Sequence, residues 1–239
     1  MPYEYTASSA NPRLLILLTD ESEESVKLVN YLIDKTIEIN FDGETPKNRC
    51  FVSVISYNHS VKELCSGWLR ELDSSLILRL ESHLKIVPDG AGGLVEVEVK
   101  QPIWVESTKL PISIDKFDRA VHFAKVLSLK WSEDNCMSPI VIDCSKVCHA
   151  DYAKEEIEQL KAIATKDGNV LFFGCYPQKE DGFGIFSKMP EEWDYRFKKW
   201  EFKEEDYNSG ILNYVHIGSI FSAMMDVGGM PAILNSFDL

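Results

Sequence analysis

The hydrophobic pattern of this chain begins with a short apolar run that passes directly into an amphipathic segment. Residues 14–19 form an apolar run bounded by polar residues, as is typical of a strand buried on both faces. Between residues 26 and 37 the apolar positions recur at the spacing of one helical face, and Ser22 is a suitable N-cap followed by acidic residues. We therefore predict a strand, a polar loop at Asp20 and a helix.

The same alternation continues along the chain. The pattern predicts further strands at residues 50–57, 61–65, 139–144 and 170–175, of which 61–65 would be an antiparallel edge strand. It predicts helices at residues 114–129, 152–164 with Asp151 as N-cap, 190–200 and 211–225. Strands that alternate with helices favour a doubly wound, Rossmann-like α/β fold, with a mostly parallel central sheet, one antiparallel edge strand and helices on both faces.

Residues 75–105 interrupt this alternation. Residues 94–99 alternate apolar and acidic side chains, which predicts a strand with one face in solvent, and a Gly-rich turn precedes them. We predict an inserted β-hairpin here, although residues 76–86 also suit a helix. Residues 104–110, between two prolines, and residues 176–190 are predicted as loops.

No linker-like segment divides the chain. We predict a flexible lead-in at residues 1–12 and one domain at residues 13–239. Within that domain, residues 75–105 are the β-excursion and residues 178–239 form a C-terminal helical extension.

Composition narrows the class of protein. The chain has 239 residues, 45% of them hydrophobic, and a net charge of −13. Such a chain can bury a sizeable core, and its acidity argues against binding to nucleic acid or to an anionic membrane. The start lacks the features of a signal peptide, and the six cysteines have no zinc-like pairing beyond the half motif of Cys144, Cys148 and His149. We expect a cytoplasmic protein with reduced cysteines.

The sequence carries no recognisable catalytic motif. It lacks the G-x-S-x-G, P-loop, His-Glu-x-x-His and dinucleotide-binding patterns, and none of its five histidines has a nucleophile or carboxylate at motif spacing. We therefore expect a protein that is not an enzyme.

Four segments, taken in order, resemble the von Willebrand factor type A (vWA) domain, in particular its bacterial intracellular members of the tellurite-resistance type. Residues 16–22 are similar to the first strand and the start of its Asp-x-Ser-x-Ser motif, and residues 52–61 to the second strand and its turn. Residues 139–142 and 166–173 are similar to the fourth strand and the approach to the fifth. The resemblance covers residues 13–177 and implies a stress-related interaction domain.

The resemblance also implies a metal-ion-dependent adhesion site. In that family, oxygen ligands from three loops hold Mg²⁺ or Mn²⁺, and a carboxylate of the partner completes the coordination. Asp20 and Ser22 match the first two motif positions, whereas Glu24 stands at the third. Thr108 matches the threonine of the second loop.

The third loop departs from the family pattern. Where the family has Thr-Asp-Gly, this chain has Ser145-Lys146-Val147. Two positive charges about 4 Å apart repel by roughly 1 kcal/mol even in water, so Lys146 would oppose a divalent ion and would itself pair with Asp20. Alternatively, Asp143 takes the acidic role.

These observations predict a non-enzymatic protein–protein interaction domain with a degenerate, metal-free adhesion site. The expected partner-binding residues are Asp20, Ser22, Glu24, Thr108, Ser145 and Lys146. One alternative is a ligand-binding protein dependent on Mg²⁺ or Mn²⁺, with Asp20, Ser22, Thr108 and Asp143 as ligands. A second is a hydrolase on the same scaffold that uses Asp20 or Cys144.

Overall fold

The computed structural model describes residues 7–88, 90, 93–145, 149–178 and 182–185. The strands are β1 (Arg13–Thr19), β2 (Phe41–Asp42), β3 (Thr45–Pro46), β4 (Cys50–Ser56), β5 (Lys62–Trp68), β6 (Arg79–Pro88), β7 (Leu94–Ile103), β8 (Ile140–Asp143), β9 (Leu171–Gln178) and β10 (Gly182–Ile185). The helices are α1 (Glu23–Ile39), α2 (Leu69–Leu72), α3 (Phe117–Asp134) and α4 (Lys154–Lys161), the last preceded by a 3-10 turn at Ala150–Ala153. The predicted helices at residues 190–200 and 211–225 lie outside the described residues.

The central sheet is mostly parallel, as the alternation predicts. Its order is β9-β8-β1-β4-β5, and β10 pairs antiparallel along the outer side of β9. β1 runs parallel to β4 on one side and to β8 on the other, whereas β5 runs antiparallel to β4. Every residue of β1 is buried, which confirms the prediction of a strand covered on both faces.

Two hydrophobic clusters cover the two faces of this sheet. Leu15 and Leu17 of β1 face a cluster that includes the apolar stripe of α1. Ile16 and Leu18, which alternate with them, face a second cluster built from α3 and α4. Helices therefore pack on both faces, and the mixed α/β architecture is confirmed.

Several predicted boundaries need correction. The helix predicted at residues 152–164 buries the expected face, but it starts as a 3-10 turn, so α4 begins only at Lys154 and its N-cap is Ala153 rather than Asp151. The prediction of a loop at residues 176–190 is wrong for residues 176–178, which belong to β9, and for residues 182–185, which form β10. A helix at residues 76–86 is also wrong, because most of these residues lie in β6.

The predicted hairpin forms a separate two-stranded sheet. β6 and β7 pair antiparallel from Arg79↔Ile103 to Pro88↔Leu94. The alternation in β7 predicted a single solvent-exposed face, but residues 94–98 are exposed on both faces, and Val99 is the first half-buried residue towards the base of the hairpin. The described part of the hairpin thus extends beyond the core instead of covering it.

The base of the hairpin is fixed to the core by Asn30 of α1. Its Oδ1 accepts the N–H groups of Trp104 (2.9 Å) and Val105 (3.1 Å), and its Nδ2 donates to the Val105 carbonyl (2.8 Å). The indole N–H of Trp104 donates to the carbonyl of Leu72 (2.7 Å). The buried backbone groups of Trp104 and Val105 that Asn30 contacts thus have hydrogen-bond partners within the protein.

A buried ion pair lies at the amino end of β1. The Arg13 guanidinium is fully buried, with Nη2 3.4 Å from Asp167 Oδ2 and Nη1 donating to the Ser138 carbonyl (3.1 Å). Sequence reasoning started the strand one residue later and did not identify this pair. It joins β1 to the segments that flank β8 and β9, at the end of the sheet opposite to the predicted site.

Two further predictions concern the start of the chain and the membrane. Residues 1–6 of the predicted lead-in lie outside the described residues, while Ala7 is buried. None of the helices in the described part of the chain has the length and hydropathy needed to cross a bilayer.

Candidate functional site

The order of the strands places a crevice between β1 and β8. From β1 the chain moves to β4 on one side, and after α3 it returns to β8 on the other side. In open α/β sheets, the loops on either side of such a reversal leave a crevice at the carboxyl ends of the strands. Asp20 follows β1 and Asp143 ends β8, so the two acidic residues flank this point. We call this edge of the sheet, with the loops that contain Asp20, Thr108 and Ser145, the rim.

The first loop of the rim holds Asp20 below the surface. The N–H of Ser22 donates to Asp20 Oδ1 (2.9 Å), and Ser22 Oγ accepts the N–H of Ser25 (3.3 Å) as the N-cap of α1. The hydroxyls of Ser25 and Thr19 lie 2.7 Å apart. The predicted N-cap is confirmed, and the loop is closed by its own hydrogen bonds.

Glu21 has a backbone conformation that is unusual for its residue type. Its φ of 60° lies in the left-handed region, where residues other than glycine are strained. The Glu21 carboxylate pairs with Lys62 Nζ (3.1 Å), and its carbonyl accepts the N–H of Thr108 (3.0 Å). This residue therefore connects the first loop both to β5 and to the second loop.

The second loop, residues 104–116, carries apolar side chains at the rim. The N–H of Thr108 donates to the Glu21 carbonyl (3.0 Å), and the N–H of Ser113 donates to Asn58 Oδ1 (2.7 Å) just beyond β4. Between these two attachments, Leu110 is 58% exposed and Ile112 is 41% exposed. The loop is thus held at both sides while its apolar side chains face solvent.

The third loop begins with a tight turn after β8. The N–H of Cys144 donates to the Leu18 carbonyl (2.9 Å), which continues the pairing with β1. Asp143 Oδ1 accepts both the N–H (3.2 Å) and the hydroxyl (2.7 Å) of Ser145. Lys146, the residue expected to carry the positive charge, lies outside the described residues.

Two buried aromatic rings of the rim are those of Tyr57, which was not identified from the sequence, and His149, which was named there only in a half metal-binding motif. Their rings stand edge-to-face with centroids 6.2 Å apart, and both also pack against Phe117. Tyr57 directly follows β4, and His149 lies in the loop after β8. Their positions just beyond the ends of parallel strands are the sequence feature from which their place at the rim could have been predicted. An aromatic residue at a strand end is usually part of the core, which is why the pattern did not single out Tyr57.

The electrostatics of these two side chains follow from their burial. Burial raises the pKa of the Tyr57 hydroxyl well above its ordinary value, and the charges of Asp143 and Asp20 raise it further. Burial lowers the pKa of His149, and the charge of Asp20 opposes that shift. At neutral pH, therefore, both side chains are uncharged, and His149 supplies no positive charge beside the two aspartates.

The candidate ligands for a divalent ion are hydrogen-bonded within their own loops. The hydroxyl oxygens of Ser22 and Thr108 already accept backbone N–H groups, and Asp143 Oδ1 accepts two hydrogen bonds. In the part of the chain that the structure describes, no group of three or more His, Cys, Asp or Glu side chains is placed to hold a metal ion. Asp20, Ser22, Thr108 and Asp143 each accept a hydrogen bond from within their own loop.

The described members of the predicted partner-binding set differ in accessibility. Asp20, Ser22 and Ser145 are buried, whereas Glu24 and Thr108 are half-buried. A partner that docks on the rim would therefore meet the second loop and the start of α1 before it met the aspartates.

Cys144, named for a hydrolase, is also buried. Its thiol lies 3.8 Å from the Ile142 carbonyl of β8. This placement does not present the sulfur to a substrate.

Comparison with known proteins identifies no relative of this chain. Neither the protein-family models, nor the curated proteins, nor the solved structures include a match to this chain.

Proposed function

We propose that this chain is a non-enzymatic protein-interaction domain of the vWA type, which binds a protein partner at the rim without a divalent ion. One observation carries the proposal. At the reversal of strand order, an acidic floor formed by Asp20 and Asp143 lies beside a fixed loop that exposes Leu110 and Ile112. Exposed apolar side chains with a polar surround are typical of protein-binding surfaces.

The rim residues have two roles in this proposal. The partner contacts the half-buried Glu24 and Thr108 of the predicted set. It also contacts the exposed Leu110 and Ile112, which were not in that set. The buried Asp20 and its neighbours act from beneath by holding the loops in position. This division explains why a vWA-like rim can keep its aspartate while losing other motif positions.

Lys146 replaces the metal ion in this proposal. Lys146 directly follows Ser145 in the sequence, and in this proposal its ammonium group pairs with the aspartates of the rim. Buried carboxylates are stabilised by a positive neighbour, and a lysine supplies that charge without a cofactor. The protein would act in the cytoplasm, where its cysteines remain reduced.

The proposal is tested by comparing two matched surface variants as bait. In L110S/I112S the apolar side chains of the rim become polar, whereas V126S/L129S makes the same change on exposed positions of α3. We expect proteins captured by the wild type to be lost with the rim variant and retained with the α3 variant. Equal capture by both variants would remove the rim as the binding surface.

If Lys146 does not replace the ion, the rim would instead bind its ligand only in the presence of Mg²⁺ or Mn²⁺. In that case Mg²⁺ or Mn²⁺ would raise the melting temperature, because a ligand that binds only the folded state stabilises it. The effect would be abolished in D20A.

A further inference from the structure

The hairpin exposes a long strand edge that is not paired in the described part of the chain. β6 pairs with β7 alone, and every described side chain from Arg79 to Ile86 is exposed. Two-stranded sheets are only marginally stable by themselves, and an exposed, apolar edge strand is a template for a further strand. The apolar side chains of β6 are substantially exposed, with values of 56% for Leu80, 66% for Leu84 and 62% for Ile86.

Two prolines define which backbone groups point outward. Pro102 stands opposite Leu80, and Pro88 stands opposite Leu94. Because proline has no N–H, these pairs take the non-hydrogen-bonded positions of the antiparallel ladder, and such positions alternate along it. The even-numbered residues of β6 therefore direct their N–H and C=O groups away from β7; before Pro88 these are Leu80, Ser82, Leu84 and Ile86.

We propose that β6 pairs antiparallel with β6 of a second copy of this chain, around a two-fold axis at His83. In this register Leu80 lies opposite the partner's Ile86, and Ser82 lies opposite the partner's Leu84. Each of these pairs joins two residues whose backbone groups point outward, so each exchanges two hydrogen bonds. The two hairpins become one four-stranded sheet, and Leu80, Leu84 and Ile86 of both copies lie on one face together with Ser82.

The charges of β6 select this register. Glu81 lies opposite the register position of the partner's Lys85, and the two-fold axis repeats the pair. A shift of the axis to residue 82 places Arg79 opposite the partner's Lys85. A shift to residue 84 loses the pair of Glu81 and Lys85 and sets Leu80 opposite the partner's Pro88, which has no N–H. Opposite charges across a strand pair stabilise it and like charges destabilise it, so the strand is self-complementary only around His83.

The outer edge of β7 is a poorer template for pairing with its own copy. Pairing around residue 97 sets Glu96 opposite Glu98, and pairing around residue 98 sets Glu98 opposite itself. Pairing around residue 99 sets Glu98 opposite Lys100, but it also sets Glu96 opposite Pro102, which has no N–H to donate. Pro102 also removes one outward N–H from this edge. The dimer therefore forms through β6, and it is independent of what the rim binds.

The first test compares two proline variants of the full chain by sedimentation, from micromolar to near-millimolar concentration. S82P removes an outward N–H of β6, and E98P makes the same change on the outer edge of β7. We expect a wild-type dimer, a monomeric S82P and a dimeric E98P, with melting temperatures that show both variants to be folded. A monomeric wild type, or equal behaviour of the two variants, would overturn the proposal.

A charge exchange tests the register without adding proline. E81K alone and K85E alone each place two like-charged pairs across the axis, and we expect each to weaken the dimer about tenfold. The double variant E81K/K85E restores opposite charges and is expected to restore dimerisation. If the double variant dimerises no better than the single variants, the register around His83 is wrong.

Discussion

Asn30 is the residue through which α1 holds the junction between the hairpin and the second loop of the rim. In N30A, the N–H groups of Trp104 and Val105 and the carbonyl of Val105 lose their side-chain partner. Asn30, Trp104 and Val105 are all buried, so water replaces these bonds poorly. At about 1–3 kcal/mol for each buried group left without a partner, and with partial relaxation, we expect a loss of about 3–5 kcal/mol in the free energy of unfolding.

Urea unfolding followed by far-ultraviolet circular dichroism measures this loss. The matched control is N135A, which removes one local hydrogen bond from Nδ2 to the Trp131 carbonyl (3.0 Å) at a half-buried position, and it is expected to cost about 0.5–1.5 kcal/mol. For a chain of this size, the change in N30A corresponds to a melting temperature lower by roughly 10 °C. A loss in N30A no larger than in N135A would refute the reasoning that this junction depends on Asn30.

Three further predictions concern the core and its titratable groups. R13M is expected to destabilise the protein by about 3–5 kcal/mol in urea unfolding, because it leaves Asp167 buried without its cation, and R13M/D167L is expected to be less destabilised than R13M. Burial raises the pKa of Asp34 in the folded state above 3.8, the value in the unfolded chain, so the folded protein loses stability when the pH rises and this carboxyl ionises. D34N should therefore raise the melting temperature at pH 7, whereas melting curves recorded below about pH 4 should show no such gain. Burial raises the pKa of the Cys50 thiol to about 12, so iodoacetamide should label Cys50 only after unfolding, whereas mass spectrometry should find the half-buried Cys136 labelled in the native protein.

The parallel core was predictable because its signals are local. The apolar run of β1 and the helical stripe of α1 each lie within a short window, and Ser22 marks the boundary between them. The hairpin was harder, because Leu76, Leu80 and Leu84 are spaced as on a helix. Pairing with β7 decides the conformation of β6, and no local pattern within residues 76–86 reports that pairing.

The rim was predictable as a meeting of loops but not in its details. Asp20 and Asp143 follow or end strands that the alternation predicts to be parallel, so their shared edge of the sheet follows from topology. Tyr57 and His149 enter the site through packing against Phe117, and Asn30 enters the fold through hydrogen bonds to a loop 74 and 75 residues away. Such long-range contacts leave no periodic pattern in the sequence.

In the proposed function, Lys146 rather than a divalent ion supplies the positive charge beside the aspartates of the rim. The most direct measurement is a double-mutant cycle of D20N and K146M, with stability measured in chelator and again in Mn²⁺. We expect a favourable coupling of about 1–3 kcal/mol between the two residues that is the same in both conditions. A coupling near zero, together with a Mn²⁺-dependent rise in melting temperature that D20N abolishes, would contradict it.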